Sequence, residues 1–353
     1  MHSMNPKNSK KIVILGTGGT IAGKSDHASD NVGYVASQIG VEQLLAAIPF
    51  LVAKVGALAV GALEGKASYG GCELVCEQVS QIDSKDMNFA VWQRLQARCE
   101  HWLAQESVAG IVITHGTDTL EETAVFLHCA LETDKPVVLT CAMRPATALA
   151  PDGPQNLLDA LAVASSDYKQ GGISGVVAVC AGVIHSAVDV QKVHNYRLDP
   201  FSSGDAGALG YVKEGKLSIY RKIEVNMPLA GINYAYAATN NIANLSSLPR
   251  VEIVLNHSGA TGDGVRALLA QRATADAPLL RGIVVAATGN GTISQALERA
   301  LQTAEAAGVV VWRSTRCAFG TLVGKADTPF GDSGGLIPVK ARIALMLYLI
   351  SKD

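Results

Sequence analysis

The fold is decided by a stretch near the amino terminus that reads Ile12-Val13-Ile14-Leu15-Gly16-Thr17-Gly18-Gly19-Thr20-Ile21-Ala22-Gly23. Its four leading apolar residues predict a strand, and continuous apolar runs of this kind are typical of strands buried on both faces of a parallel sheet. The glycines that follow permit a tight turn and a close approach of the backbone to a ligand. Because ligands of open parallel sheets bind beyond the carboxyl ends of the strands, this turn is a candidate functional site.

Two other interpretations of the turn are compatible with parts of the local sequence. A dinucleotide-binding loop requires the pattern Gly-x-Gly-x-x-Gly, but its last position is occupied by Ile21 and no helix pattern follows directly. A purely structural turn, in which Thr17 and Thr20 bond to backbone groups, agrees with the residues themselves.

Outward from this stretch, strand-like apolar runs alternate with helix-like amphipathic runs. The next runs along the chain are Ile111–Thr114, Leu120–Leu131, Pro136–Cys141, Gln155–Ser165 and Val176–Cys180. After a segment of poor periodicity the alternation resumes with Val251–Leu255, Gly264–Arg272, Gly282–Ala287, Ile293–Ala307 and Val309–Trp312. This order predicts an α/β protein with parallel strands. We expect a larger N-terminal domain with a mainly parallel sheet over residues 1–222, a linker over 223–245, and a smaller C-terminal α/β domain over 246–353.

Charge and composition exclude several classes of protein. The formal net charge is −2 and no run of Lys or Arg offers a basic surface, so we expect no nucleic-acid partner. The longest apolar-biased stretch, Ile48–Leu63, is interrupted by Lys54 and by glycines, and we expect neither a signal peptide nor a membrane span. Seven cysteines, an odd number at irregular spacing, indicate reduced thiols and a cytoplasmic location.

The sequence contains no clear pattern of metal ligands. Cys72 and Cys76 lie four positions apart, but no second pair follows them, and the histidines are scattered. We therefore expect neither a metal nor a cofactor.

A second polar cluster, His115-Gly116-Thr117-Asp118-Thr119, follows the strand predicted over Ile111–Thr114. Thr119 with Glu122 three residues later has the form of a capping box, which predicts a helix start. A helix start also presents free N–H groups to an anionic substrate. A third cluster, Ala142–Arg144, follows another predicted strand, and we expect the three clusters to converge on one crevice.

Together, the first two clusters resemble the signatures of the bacterial-type L-asparaginase and glutaminase-asparaginase family. The resemblance extends from about Lys11 to the C-terminal helix and includes Ser84-Lys85-Asp86-Met87-Asn88, Ala142-Met143-Arg144-Pro145, Asp152-Gly153-Pro154 with Asn156-Leu157, Asp189-Val190-Gln191-Lys192 and Gly289-Asn290-Gly291.

The resemblance implies the roles of five catalytic residues. Thr20 is expected to be the nucleophile, and Tyr34 matches a tyrosine on a mobile loop that closes over the substrate. Thr117 matches a second active-site threonine, with Lys192 as its partner. Asp118 is expected to bind the substrate ammonium and to support the Thr117–Lys192 pair. Without the resemblance, Lys192 would be interpreted as an ordinary exposed lysine.

The resemblance also implies the residues that bind the substrate. Ser84 is expected to hold the α-carboxylate, beside Lys85, where many members have glutamine. The backbone around Ala142 is expected to bind the side-chain amide. Asn290 and Asp327, the latter in place of a usual glutamate, are expected to reach the active site of a neighbouring subunit. The family thus implies a homotetramer with sites shared between subunits.

The implied reaction is hydrolysis of asparagine to aspartate and ammonia through an ester of the threonine nucleophile. A dual-specificity glutaminase-asparaginase is the nearest alternative, although Lys85 beside the α-carboxylate favours asparagine. A tRNA-dependent amidotransferase subunit is disfavoured because that family carries an extra domain before the first signature. A non-catalytic amino-acid-binding protein is disfavoured by the retention of Thr20, Thr117, Asp118 and Lys192 together. The positions of a disulfide found in secreted members are Gln105 and Thr133 here, which fits a cytoplasmic location.

Overall fold

The computed structural model describes residues 10–48, 51, 67–222, 242, 245–271, 278–324 and 329–352. The chain divides into two compact units, Met1–Val225 and Asn226–Asp353. The linker that we predicted over residues 223–245 lies, except for Ile242 and Leu245, outside the described residues.

The described part of the first unit contains eleven strands. They are β1 (Lys11–Gly18), β2 (Ser68–Tyr69), β3 (Cys72–Ile82), β4 (Val108–Thr114), β5 (Val137–Thr140), β6 (Val176–Cys180), β7 (Val183–Ser186), β8 (Gln191–Lys192), β9 (Phe201–Ser202), β10 (Gly210–Lys213) and β11 (Lys216–Ile219). Nine of these form one sheet in the order β11-β10-β7-β6-β5-β4-β1-β3-β2, and β8 pairs with β9 separately. The five central strands from β6 to β3 run parallel, whereas both margins of the sheet are antiparallel.

The described residues of this unit also form four α-helices with given bounds. They are α1 (Val41–Ala46), α2 (Phe89–Leu103), α3 (Leu120–Ala130) and α4 (Gly153–Ala164). The first four apolar residues of β1 are completely buried, as expected for a strand covered on both faces. The predicted α/β class with a largely parallel N-terminal sheet is therefore confirmed.

The register of the central strands places their carboxyl ends along one edge of the sheet. Gly16 of β1 pairs with Thr114 of β4, and Thr114 pairs with Thr140 of β5. On the other side of β1, Gly18 pairs with Ile82 of β3. The three polar clusters that follow β1, β4 and β5 therefore begin side by side, as predicted, and the segment after β3, which the prediction did not include, begins beside them.

The second unit is a smaller α/β unit with a four-stranded sheet among its described residues. Its elements are β12 (Arg250–Leu255), α5 (Asp263–Gln271), β13 (Leu280–Ala287), α6 (Gln295–Ala306), β14 (Val310–Thr315), β15 (Gly331–Asp332) and α7 (Pro338–Ile350). Every neighbouring pair in the order β12-β13-β14-β15 is parallel. The predicted C-terminal α/β architecture is confirmed.

Membrane-spanning helices are absent from the part of the chain that the structure describes, where no helix combines the required length and apolarity. All seven cysteines are free thiols, and Cys317 is the exposed one. Cys72 and Cys76 both lie on β3, and burial raises the pKa of the Cys76 thiol to about 12.

Candidate active site

The glycine-rich turn after β1 has a backbone conformation that side chains rarely permit. Gly18 and Gly19 have φ angles of +108° and +83°, and the residues from Thr20 to Ala22 form a short 3-10 turn. The N–H of Gly19 donates to Ser37 Oγ at 2.8 Å, and Thr17 Oγ1 donates to the carbonyl of Thr114 at 2.8 Å. Thr17 thus has the structural role that we considered for it, and it ties the turn to β4.

Thr20 faces Tyr34 across a small loop. The two hydroxyl oxygens are 2.6 Å apart, and Thr20 is buried. Backbone hydrogen bonds in both directions between Lys24 and Val35 close the loop that carries Tyr34. A Cβ atom on Gly23 would lie 2.9 Å from the Tyr34 ring, so the missing side chain makes room for the phenol.

The phenol of Tyr34 is protonated at neutral pH. Burial raises its pKa above the ordinary value of 10, and the negative charges of Asp83 and Asp118 act in the same direction. The hydrogen bond with Thr20 and the charge of Lys85 oppose this shift. These influences also place Asp83, Lys85 and Asp118 in the electrostatic environment of the Thr20–Tyr34 pair.

Thr117, Asp118 and Lys192 form a second polar group at the same edge of the sheet. Lys192 Nζ donates to Thr117 Oγ1 at 2.8 Å and to Asp118 Oδ1 at 2.6 Å. The side chain of Lys192 is 17% exposed and that of Asp118 is 57% exposed. The ammonium is therefore largely enclosed, while the carboxylate can still meet a charged group that arrives from solvent.

Lys192 reaches this position from a separate part of the fold. It lies on β8, where it pairs with Phe201 of β9. Its backbone N–H donates to Glu121 Oε2 of α3 at 2.5 Å. Sequence reasoning did not identify Glu121 as part of the site, because an acidic residue in the first turn of a helix has an ordinary explanation in the helix dipole.

A buried chain of hydrogen bonds holds the loop after β4 in place. His115 Nδ1 is 2.7 Å from the carbonyl oxygen of Gly116, which can only accept, so Nδ1 carries the proton. His115 Nε2 then accepts from Thr123 Oγ1 at 2.9 Å, and Thr123 accepts from Trp92 Nε1 at 2.9 Å. Burial lowers the pKa of His115 to about 4, so the imidazole is neutral at pH 7.

The capping box that we predicted at the start of α3 is wrong. Thr119 occupies the N-cap position, but its side chain makes no capping hydrogen bond. Thr119 Oγ1 instead donates to the carbonyl of Ser84 at 2.7 Å. The hydroxyl is thus used to join the loop after β4 to the segment after β3.

Ser84 lies between these two segments and is buried. Its Oγ accepts a hydrogen bond from the N–H of Asp118 at 3.2 Å, so its own proton remains available for a ligand. Lys85, by contrast, is 65% exposed, and its ammonium contacts Asp83 Oδ2 at 2.8 Å. The hydrogen bond with Asp83 raises the pKa of Lys85. Lys85 is therefore a charged group whose nearest partner is a carboxylate of its own chain.

The segment after β5 is held by Asp152, the N-cap residue of α4, and by Asn156 within α4. Asp152 accepts from the N–H groups of Met143 and Arg144, both at 2.9 Å. Asn156 Nδ2 donates to the carbonyl of Cys141 at 2.9 Å. Ala142, between these contacts, is completely buried. Asp152 and Asn156 belong to the motifs singled out in the sequence, but only the structure assigns them this supporting role.

The predicted site residues of the second unit are placed only in part. Asn290 lies on an exposed turn, where its side chain donates to the carbonyl of Val323 at 3.0 Å and accepts from the N–H of Val323 at 2.7 Å. Asp327 lies outside the described residues. Thr20, Tyr34, Ser84, Lys85, Thr117, Asp118, Ala142 and Lys192 all belong to the first unit.

Clusters of three or more His, Cys, Asp or Glu side chains able to hold a metal ion are absent among the described residues. The functional groups that the described residues of the site offer are hydroxyls, lysine ammonium groups, carboxylates and backbone N–H groups. Hydroxyls next to proton-transfer partners are the usual components of acyl transfer by covalent catalysis.

Comparison with known protein families agrees with this chemistry. A family model described as "Asparaginase, N-terminal" matches residues 11–225. A second, described as "Glutaminase/Asparaginase C-terminal domain", matches residues 250–353.

Individual relatives match over nearly the whole chain. A "Probable L-asparaginase periplasmic" of Haemophilus influenzae is 37% identical over 358 residues, covering 98% of this chain and 90% of the relative. A "Glutaminase-asparaginase" of Pseudomonas fluorescens biotype A is 36% identical over 344 residues, covering 96% of this chain and 86% of the relative. The crystal structure of a "Probable Cytoplasmic L-asparaginase" from Campylobacter jejuni superposes with a TM-score of 0.80 at 35% identity, covering 97% of this chain and 95% of the other.

Proposed function

This chain belongs to the asparaginase family and is an asparaginase amidohydrolase, and on this premise we propose that it acts by acyl transfer through Thr20. The observation that carries the proposal is the 2.6 Å contact between Thr20 Oγ1 and the Tyr34 hydroxyl, on a turn that lies against the loop of Thr117. A threonine hydroxyl is a weak nucleophile and needs a proton-accepting or polarising neighbour, which Tyr34 supplies.

In the proposed first step, Thr20 Oγ1 attacks the side-chain amide carbon of asparagine. Tyr34 accepts the proton of Thr20 while its own proton passes to the amide nitrogen, since the phenol is neutral at physiological pH. The C–N bond then breaks, ammonia leaves, and a β-aspartyl ester of Thr20 remains. In the second step water attacks the ester carbon, one proton returns to Thr20, and aspartate is released.

We assign stabilisation of the developing negative charge to Thr117 and to N–H groups of the turn around Thr20. Pre-placed donors of this kind are commonly the largest single contribution to catalysis of acyl transfer. Lys192 donates to Thr117 Oγ1, so the hydroxyl proton of Thr117 is free to point at the substrate oxygen. Asp118 supports this pair by its contact with the Lys192 ammonium.

We propose that charged and polar groups at the same edge of the sheet bind the substrate. The exposed carboxylate of Asp118 suits the ammonium of the substrate, and the free proton of Ser84 Oγ suits its α-carboxylate. Lys85 adds positive charge near that end, although its pairing with Asp83 limits the effect. The backbone at Ala142 is proposed to contact the side-chain amide.

The remaining parts of the proposal concern specificity, assembly and location. We propose that asparagine is preferred over glutamine, with dual specificity as the alternative, because a relative at 36% identity has the name glutaminase-asparaginase. Asn290 and Asp327 are proposed to complete the site of a neighbouring subunit in a homotetramer. A cytoplasmic location is proposed from the seven free thiols, although the relatives include one named periplasmic.

The experiment that tests the nucleophile compares Thr20→Ala with Thr117→Ala. Thr20→Ala is expected to fold normally and to lose turnover completely, including any burst of ammonia in the first turnover. Thr117→Ala is expected to release ammonia slowly, because a nucleophile is still present. The reverse pattern, with activity retained in Thr20→Ala above a few per cent, would assign the nucleophile to Thr117.

A further inference from the structure

Glu121 connects two parts of the active site that are far apart in sequence. It lies on the first turn of α3, directly after the loop that carries Thr117 and Asp118. Its Oε2 atom accepts a hydrogen bond from the backbone N–H of Lys192 at 2.5 Å. The Lys192 side chain returns to Thr117 and Asp118. The short segment from Thr117 to Glu121 therefore contacts both the backbone N–H and the side-chain ammonium of Lys192.

The burial of Glu121 is not explained by its position in the helix. A carboxylate in the first turn of a helix interacts favourably with the helix dipole from an exposed position. Glu121 is only 8% exposed, and burial of a carboxylate is costly unless hydrogen bonds compensate it. A hydrogen bond between a backbone N–H and a carboxylate is stronger than a neutral one. The Lys192 N–H is such a donor, so the burial has a physical reason in this contact.

Strand β8, which carries Lys192, is only two residues long, so its own strand pairing does little to fix its position. The ladder between β8 and β9 consists of two residue pairs, Gln191 with Ser202 and Lys192 with Phe201. The N–H groups of Val193 and His194 add bonds to the carbonyl of Pro200, at 2.8 and 3.2 Å, but all of these bonds join one short segment to another. The position of Lys192 Nζ relative to Thr117 therefore depends on side-chain contacts to the larger elements, and the Glu121 contact is made to the residue that carries the ammonium.

We infer that Glu121 is a positioning residue of the reaction, which holds the Lys192 backbone so that Nζ meets Thr117 and Asp118. The inference rests on the proposed function, in which Lys192 supports Thr117. Misplacement of a catalytic group by about 1 Å can cost on the order of 100-fold in rate. Glu121 acts through Lys192 and does not itself contact the substrate, so its removal lowers kcat and leaves KM nearly unchanged.

The inference is tested with three single variants and a double-mutant cycle. Glu121→Ala is expected to lower kcat for asparagine about 10- to 100-fold, with KM changed by less than about threefold. Glu121→Gln keeps an acceptor oxygen at the same place and is expected to retain kcat within about fivefold of the wild type. Glu122→Ala, which removes the same charge one position along α3, serves as the matched control and is expected to retain kcat. Thermal unfolding of each variant shows whether any loss comes from unfolding.

The cycle combines Glu121→Ala with Lys192→Met, with single-turnover release of ammonia as the readout. If Glu121 acts through Lys192, adding Glu121→Ala to Lys192→Met causes no further loss, because the two effects are not additive. Additive losses would overturn the inference, as would full kcat in Glu121→Ala. A Lys192→Met variant with wild-type kcat would instead refute the proposed function, and the two failures are thereby distinguished.

Discussion

Gly19 and Gly116 lie in direct backbone contact, and a Cβ atom on Gly19 would be 2.3 Å from the amide nitrogen of Gly116. Gly19 belongs to the turn of Thr20, and Gly116 to the loop of Thr117. The absence of two side chains therefore brings the proposed nucleophile and the proposed charge-stabilising hydroxyl onto adjoining backbones.

Gly19→Ala is expected to lower kcat by about 100-fold or more, because the new methyl group must push the two loops apart by a distance of the order of 1 Å. Gly71→Ala is the matched control. Gly71 has the same φ of +83° as Gly19, but its Cβ position has no atom within 4 Å. It is expected to lose about 1–2 kcal/mol of stability from the left-handed conformation alone, with kcat unchanged. Equal kcat values in the two variants would show that the contact is not needed for turnover.

Stability is expected to fall in mild acid because of His115. Burial holds the pKa of its imidazole at about 4 in the folded protein, against 6.5 for an unperturbed histidine. The unfolded chain therefore binds the proton first, and stability is lost as the pH falls from about 6.5 to about 4. The full difference corresponds to about 3 kcal/mol in the free energy of unfolding, and no further loss from this group occurs below pH 4.

Urea unfolding between pH 4 and pH 7 measures this effect. His115→Gln is expected to be less stable at pH 7, because it disrupts the chain to Thr123, but to show a flatter dependence on pH. His101→Gln alters an exposed histidine and is expected to keep the wild-type slope. A slope in His115→Gln as steep as that of the wild type would assign the acid sensitivity to other groups.

The wild-type enzyme is expected to prefer asparagine over glutamine in kcat/KM. The substrates differ by one methylene, for which a pocket discriminates by roughly 10- to 200-fold. Because Lys85 is largely exposed and paired with Asp83, the Lys85→Gln substitution is expected to change this ratio by less than about threefold. Equal kcat/KM values for the two amino acids in the wild type would establish dual specificity. A large fall of the ratio in Lys85→Gln would show that the ammonium leaves Asp83 when substrate binds.

Shared sites are expected to appear in mixtures of inactive subunits. Thr20→Ala and Asn290→Ala homo-oligomers are each expected to be impaired, since the residues are proposed to serve the same site from different chains. After subunit exchange, sites that combine an intact first unit with an intact neighbour are expected to restore part of the ammonia release. Proven exchange with no recovery would mean that each chain builds its own site.

Local patterns were sufficient for the elements with a continuous apolar run or a clear helical period. The predicted strands Ile111–Thr114 and Val176–Cys180 and the helices from Leu120 and Gln155 all lie within or largely overlap the observed elements. Strand β3 was not predicted from these patterns, although with eleven residues it is longer than any other described strand. Glu73, Glu77 and Gln78 interrupt its apolar residues, because only Cys72 and Leu74 of this strand are buried beside the antiparallel margin of the sheet.

The sequence by itself determined the α/β class, the turn of Thr20 and, through its resemblance, the identities of the residues expected to act. Only the tertiary structure decided which of them meet. Lys192 is 75 positions from Thr117, and Glu121 is 71 positions from Lys192. Periodicity encodes the environment of a residue within a few positions, whereas these contacts depend on the register of parallel strands and the packing of α3. The same reason explains why Thr119, which has the spacing of a capping box with Glu122, instead contacts Ser84, and why the neighbouring Glu121 contacts Lys192.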